Sequence, residues 1–502
     1  MYYPSLEEFK KLSKKGNVIP VYRELFADLE TPVSAFMKIN TSKYSYLLES
    51  VEGGEKIGRY SFLGNNPSLI IRSKAQNVEI LKKSDKGFVT TMIQNPEGPL
   101  AEIKKIIQEY KFVNIEGLPQ FCGGLVGFMG YDTVRFYENI PDNNPDDLKL
   151  YDAVLMLTDT ILIFDHVSHK IKIVSNVYIE NSKRASLDKQ LEAIYAQSIE
   201  KIDALAKTLQ KPLKFPKQKI SKQKFEVNSN TTKKEFKSAV EKAKEFIKAG
   251  DIIQTVLSQR FSVKVDVPNF DIYRSLRIIN PSPFMFYLKL DNMKLIGSSP
   301  EILVRCEKGV AEVRPIAGTR KRGKTEQEDI DLADDLLHDP KEIAEHIMLV
   351  DLGRNDLGRV CKYGSVSVKE FMAIEKYSHV MHIVSDVQGI LNKNKDAFDV
   401  LKATFPAGTL SGAPKVRAME IIDQLETVRR GPYGGCIGYF GFSGNIDTCI
   451  TIRTIVLKNK TAYIQAGAGI VADSVPGKEY QETVNKAQAL IKAIEIAQGG
   501  LL

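Results

Sequence analysis

The chain has no tryptophan, only five cysteines in 502 residues, and no apolar run long enough to span a bilayer. Lack of such a run excludes a helical membrane protein. The cysteines (Cys122, Cys306, Cys361, Cys436 and Cys449) are odd in number and scattered. That pattern argues against a disulfide framework or a zinc site and suits a reducing cytosol. The opening M-Y-Y-P-S-L-E-E-F lacks the charged-then-apolar order of an export signal, so a cytoplasmic location is expected. Charge of one sign is not concentrated either: the formal net charge is +8, and the lysines are spread along predicted helices and one linker. No nucleic-acid surface is expected from that distribution. The missing tryptophan by itself decides nothing.

What is present is ordinary for a soluble globular chain, with 43% hydrophobic and 26% charged residues. The Lys- and Pro-rich tract K-P-L-K-F-P-K-Q-K-I-S-K-Q-K, which starts at Lys211, has no periodicity. It reads as a linker over 211–227, between an N-terminal region 1–210 and a C-terminal region 228–502. In the first region, Ser34 to Leu48 reads as a strand, Gly123 to Tyr131 as a bent buried strand and Leu187 to Leu209 as a helix. In the second, Thr232 and Glu235 form a capping box for a helix that ends at Gly250. Lys294 to Arg305 is a broken strand with Glu301 just past Pro300. Helices alternate irregularly with strand pairs, which predicts an α+β protein with a mixed sheet.

The stretch from Val313 to Asp356 carries the densest chemistry. V-R-P-I-A-G-T-R enters a Gly-containing turn, and a helix follows with Ile343, Ile347 and Val350 as its apolar stripe. Glu342 and Glu345, three residues apart on that helix, leave from nearly the same face. The last helix repeats the device with Glu479 and Glu482. Two such faces could meet around a hard divalent cation such as Mg2+, or each could be a solvated acidic surface. Gln465 to Asp473 resembles a dinucleotide fingerprint, but no βαβ unit surrounds it, and its glycines better serve a close approach of backbone amides to a carboxylate. In T-L-S-G-A-P-K, Pro414 reads as the first helical residue, with amides ahead of it for an anion or as an ordinary cap. His379 and His382 lack the further ligands that a zinc site needs. Arg453, inside a β-rich run, needs a partner, and a bidentate carboxylate ligand is one.

Taken together, L-L-E-S at Leu47, N-P-S-P-F-M-F at Asn280, G-S-S-P-E at Gly297, R-P-I-A-G-T-R at Arg314 and D-L-G-R-N-D at Asp351 resemble the chorismate-utilising enzymes. H-V-M-H at His379, F-P-A-G-T-L-S-G-A-P-K at Phe405, Y-G-G-C-I-G-Y at Tyr433 and Q-A-G-A-G-I-V-A-D-S at Gln465 extend the likeness over essentially the whole chain. The branch it resembles most is the one that forms anthranilate. That resemblance implies a four-layer α/β/β/α sandwich and conversion of chorismate plus ammonia to anthranilate plus pyruvate. It implies Mg2+ held by Glu345 and Glu482, supported by Glu342 and Glu479. Gly318, Thr319, Tyr433, Arg453, Gly467, Ala468 and Gly469 would contact chorismate. Glu301 would be the acid for the departing hydroxyl, His382 the base for elimination and Thr409 a supporting donor. A feedback site for tryptophan is implied at Glu49, Ser50, Pro283, Phe284, Met285, Ile437 and Tyr439. No glutamine-hydrolysing motif is visible in the chain, so a separate glutamine amidotransferase subunit is expected, in a heterodimer or heterotetramer.

Two positions separate the family's branches. Aminodeoxychorismate synthases, the alternative enzyme, generally carry a nucleophilic lysine where this chain has Ala317. Isochorismate and salicylate synthases carry a lysine base where it has Gln254. A reading of a different class, a non-catalytic tryptophan-binding regulator, requires a degenerate pocket, and the intact glutamates and Arg453 argue against it.

Overall fold

A computed structural model describes residues 1–51, 58–180, 187–214, 220–221, 224–377 and 380–500. His379 and part of the predicted linker (215–219 and 222–223) lie outside the described residues.

Two large sheets organise the chain, each of twelve strands among the described residues. The first runs in the order Val18–Phe26, Lys170–Tyr178, Thr160–Asp165, Tyr60–Asn65, Tyr44–Glu49, Phe284–Leu290, Met293–Ser299, Thr454–Lys458, Thr461–Ile470, Gln254–Lys264, Val227–Ser229. The second is centred on Val310–Val313, Ile302–Glu307, Ile446–Ile450, Cys436–Gly441, Gly124–Met129 and Ala153–Thr158, with Val380–Ile390 and Ile316–Lys321 towards one edge. Both sheets therefore draw strands from both predicted regions. The sequence pattern predicts a mixed sheet, but the strand pairings within both sheets are antiparallel. The pattern could not show this, because helices and strand pairs also alternate when strands return as hairpins.

Three apolar clusters make four layers. Tyr46, Ile163, Phe286 and Leu295 of the first sheet pack against Val126, Phe128, Met156 and Ile437 of the second. The outer face of the first sheet is covered by helices that supply Phe9, Ala35, Leu191, Ile272 and Leu490. Ile103, Val350, Leu401 and Met419 cover the second. This is the α/β/β/α sandwich that the resemblance implies. All five cysteines are free and buried, and among the described residues no helix is long and apolar enough to cross a membrane.

Local expectations divide. The Thr232–Glu235 capping box is present, and the helix Lys233–Lys248 follows it. Gly124–Met129 is a fully buried strand. Ser34 to Ile39, however, is the end of a helix, Pro32–Ile39, and the strand begins only at Tyr44. Thr31 caps that helix and Pro32 starts it, a signal that outweighs the apparent alternation. Pro414 is the cap and not the first turn of the helix Lys415–Leu425, and Gly412–Ala413 pair with Gln254 and Thr255 in the first sheet.

The site is placed by a crossing. Met293–Ser299 belongs to the first sheet, and after Pro300 and Glu301 the chain enters the second as Ile302–Glu307. Its neighbour Ile446–Ile450 makes the reverse crossing, through Arg453, into Thr454–Lys458. The two strands pair on both sides, with Gly297 opposite Thr454 and Ile302 opposite Cys449. Strands that switch sheets turn such corners through bends and bulges. Arg453 takes φ +48°, and the register shifts between Ile302 and Val304.

Phe128 is 1% exposed, between the sheets. Phe128→Ala is expected to lower unfolding stability by about 3 to 5 kcal/mol, read as a reduced urea midpoint.

Candidate active site

The two crossings hold each other. The Ile450 amide donates to the Glu301 carbonyl at 3.0 Å, the Ser298 amide to the Arg453 carbonyl at 3.1 Å, and Ser299 Oγ to the Ile450 carbonyl at 2.7 Å. Glu301 and Arg453 are thereby brought to one locus although far apart in sequence. Thr409 Oγ1, from the turn Gly408–Leu410, donates to Glu301 Oε2 at 3.0 Å. Burial raises the Glu301 carboxyl above its usual range, against the Thr409 hydrogen bond and the charges of Lys486 and Arg453. A buried carboxyl with raised pKa and one fixed donor is suited to deliver a proton.

His382 sits on Val380–Ile390, opposite Thr319. Its Nδ1 lies 3.0 Å from the Gly318 carbonyl and 3.0 Å from Thr319 Oγ1. A carbonyl only accepts, so Nδ1 carries the proton and Nε2 presents a lone pair. Gly318 makes this possible: its φ is +73°, and a Cβ there would lie 3.1 Å from Leu336 and 3.3 Å from Glu342 Oε2. Burial lowers the imidazole pKa, with the Gly318 hydrogen bond opposing.

Glu342 and Glu345, near the start of the helix Pro340–Gly358, lie within reach of the charge of Glu482, near the start of Pro476–Gly499, which also carries Glu479. Glu342, Glu345 and Glu479 are each raised first by burial, and the field of Glu482 adds to each. Asp339 also raises Glu342, and Glu342 raises Glu345. Among the described residues no three acidic, His or Cys side chains stand together at ligating distance. Lys486 Nζ instead holds Glu482 at 2.7 Å and donates to the Gly467 carbonyl at 3.1 Å. The donor set, carboxylate oxygens without sulfur or nitrogen, fits a hard divalent cation. On the first of these helices the buried face is not the expected stripe: Ile347 is 41% exposed, and His346 is buried in its place, with Nε2 2.6 Å from Ser385 Oγ.

Arg453 has no carboxylate partner among the described residues, and its Nη1 donates to the Lys486 carbonyl at 2.9 Å. Past Ile464 the strand Thr461–Ile470 has, among the described residues, no pairing partner on the side of Thr454–Lys458, so Gly467, Ala468 and Gly469 border an open edge. A Cβ on Gly467 would fall 2.7 Å from the Tyr433 hydroxyl, and one on Gly469 2.9 Å from the Gln254 amide. Tyr433 is stacked under the Arg430 guanidinium, 5.6 Å from its ring centroid. Sequence reasoning missed Lys486, which touches Glu482 and Gly467 and lies beside Glu301; its spacing of four from Glu482 was the available signal.

The seven residues assigned to an inhibitor site (Glu49, Ser50, Pro283, Phe284, Met285, Ile437 and Tyr439) all line one cavity of about 420 Å³ between the two sheets. Tyr439 stacks on Phe121 there at 4.0 Å between centroids. Glu49 is not a bare acid, since Arg277 donates to both its oxygens at 3.1 and 3.3 Å and the Tyr273 hydroxyl donates to Oε2.

The sequence profile of the chorismate binding enzymes matches residues 44–492. The chain belongs to that family. It is 51% identical to anthranilate synthase component 1 of Acetivibrio thermocellus, over 99% of both chains. The corresponding protein of Aquifex aeolicus (strain VF5) is 52% identical over 98% of both. Among solved structures, anthranilate synthase component I of Streptococcus pneumoniae TIGR4 superposes with a TM-score of 0.73 at 37% identity, covering 93% of this chain and 99% of that one. The menaquinone-specific isochorismate synthase MenF of Escherichia coli, at 18% identity and TM-score 0.69, shares the fold over 97% of this chain and 98% of its own.

Because His382 is buried and bonded through Nδ1, its imidazole is expected to titrate below pH 6.5 and to be the Nδ1–H tautomer at neutrality. Nitrogen-15 correlation spectra at varied pH check both statements, and an Nε2–H signal at neutral pH would contradict the assignment.

Proposed function

We propose that this chorismate binding enzyme is the large component of an anthranilate synthase, and that it carries out the first step of tryptophan biosynthesis in the cytoplasm. The observation that supports it most is the pairing of a raised acid, Glu301, with a neutral imidazole, His382, beside an arginine that has no carboxylate partner among the described residues. The component 1 relatives, half identical over their full lengths, point the same way. In this reading Arg453 and the amides bordering Gly467 to Gly469 hold the carboxylates of chorismate, with Tyr433, Gly318 and Thr319 around the ring. Ammonia forms the C2–N bond as the C4–O bond breaks. Glu301 gives its proton to the departing hydroxyl, which leaves as water, and Thr409 steadies the carboxylate. His382 Nε2 then takes the ring proton as pyruvate is eliminated and the ring becomes aromatic.

Glu345 and Glu482, supported by Glu342 and Glu479, would hold Mg2+. That ion would supply the positive charge that lets the substrate's ring carboxylate lie among glutamates. Lys486 would release Glu482 to do so. Ammonia would come from a separate glutamine amidotransferase subunit, in keeping with the name component 1 among the relatives. The 420 Å³ cavity would take tryptophan as feedback inhibitor, with the indole against Tyr439 and Phe284. Ala317 has no amine to attack the ring, which favours this reading over an aminodeoxychorismate synthase.

The test is incubation with chorismate, Mg2+ and ammonium, read by anthranilate fluorescence and product mass. Anthranilate is expected. A stable aminodeoxychorismate or isochorismate product, or none, overturns the reading. Glu345→Ala and Glu482→Ala are each expected to lose about a hundredfold or more in kcat/KM, while tryptophan binding by calorimetry stays intact.

A further inference from the structure

We propose that Arg314, Glu375 and Tyr377 form a positioning unit that fixes the imidazole of His382 and ties it to the wall of the inter-sheet cavity. The proposal rests on the function proposed above and adds to it the route by which the two sites communicate. Glu375 and His382 are directly opposed on adjacent antiparallel strands, Ser367–Lys376 and Val380–Ile390, so their side chains leave the same face. The Tyr377 ring meets the imidazole edge-on, with centroids 5.6 Å apart and planes at 64°. Its hydroxyl donates to Glu375 Oε2 at 2.9 Å, and Arg314 Nη2 donates to the other carboxylate oxygen. The backbone of Tyr377 is also held, since Arg322 Nη1 donates to its carbonyl at 2.7 Å. The imidazole is thus fixed on one side by Gly318 and Thr319 and on another by a tyrosine whose own place depends on a half-buried arginine–glutamate pair.

The same unit abuts the cavity wall. Pro283, Phe284 and Arg305 line the 420 Å³ cavity and also line a small void of about 20 Å³. Tyr377 and Arg314 line that void as well. Arg314 further borders a third void, of about 50 Å³, whose lining includes Glu301 and Thr409. A space of about 20 Å³ has room for about one water. Close-packed interiors do not absorb displacement gradually, so a shift of Pro283 and Phe284 on filling the cavity is passed to Tyr377 and Arg314. A mere packing role for Tyr377 would be satisfied by phenylalanine; a positioning role would not.

Tyr377→Phe and Glu375→Gln keep shape and remove one hydrogen bond each. In both, kcat for anthranilate formation is expected to fall about tenfold with KM for chorismate within about twofold. The tryptophan concentration for half-inhibition is expected to rise about fivefold or more while the Kd measured by calorimetry stays unchanged, because coupling and not binding is lost. Glu375→Asp is expected to recover part of both, and unchanged circular dichroism melting secures the fold. The proposal is overturned if both variants keep wild-type kcat and inhibition, or if inhibition weakens only in proportion to Kd. Wild-type chain that makes no anthranilate would overturn the parent reading, and this one with it. Active wild type with indifferent variants would overturn this one alone.

Discussion

Two neighbouring strands leave one sheet and enter the other side by side, and the rest of the site depends on that crossing. At such a corner the backbone cannot continue the ladder of either sheet, so its polar groups need other partners. Here the two crossings satisfy each other through the Glu301 and Arg453 carbonyls and the Ser299 hydroxyl. The arrangement costs something, because a non-glycine residue at φ +48° carries strain on the order of 1 to 3 kcal/mol. In return, a carboxyl and a guanidinium separated by some 150 residues of chain are fixed relative to one another by main-chain bonds and do not depend on flexible side-chain contacts. Burial then acts on them in opposite directions, raising the pKa of Glu301 and lowering that of Arg453.

Around that corner the electrostatics are deliberately unbalanced. The charge of Glu482 raises Glu342, Glu345 and Glu479, Lys486 pairs with Glu482, and Arg453 has no acidic partner among the described residues. An isolated cluster of buried carboxylates is costly and tends to take up protons unless cations compensate it. Helix starts reduce that cost, since Glu342 and Glu479 lie in first turns where the backbone dipole favours negative charge. The surplus acid and Arg453 stand on different elements, so a ligand with several negative charges and a cation can enter together at the expense of the half-exposed Lys486–Glu482 pair. This is the property that the proposed chemistry requires.

Much of this was legible in the chain, for reasons that differ from residue to residue. The Glu-x-x-Glu spacing and the helices that carry it follow from periodicity, and the convergence of the two faces was a guess that only tertiary structure could decide. The seven cavity residues come from three separate strands and the residues next to two of them, and no local pattern joins them; family likeness alone placed them together. His346 in place of Ile347 was missed because an apolar stripe was assumed, whereas Ser385 on the facing strand offers the histidine a hydrogen bond and makes its burial tolerable. Lys486 was missed because a lysine four residues after a glutamate usually marks a solvated helix face. Ser34 to Ile39 was misread because alternation over a few residues carries less information than a threonine cap followed by proline.

The cavity also qualifies what its acidic residue can mean. Glu49 is 4% exposed and joins the strand Tyr44–Glu49 to the helix Asn269–Ile279 through Arg277 and Tyr273. Removing it would take the partner from the half-buried Arg277 and leave the buried Tyr273 hydroxyl without its acceptor, which is destabilising whatever the cavity binds. Loss of regulation after changing Glu49 would therefore not locate the ammonium group of a ligand. Asp447 is the more discriminating acceptor: Arg305 occupies its Oδ2 at 3.0 Å, while Oδ1 is buried with no hydrogen-bond partner among the described residues. An unmet buried acceptor costs about 1 to 3 kcal/mol, and a donor on a bound molecule would recover it. A cavity with the committed carboxylate of Glu49, the half-committed one of Asp447, a third from Glu307 and a stacked aromatic wall thus suits an aromatic molecule carrying its own N–H groups better than a simple anion.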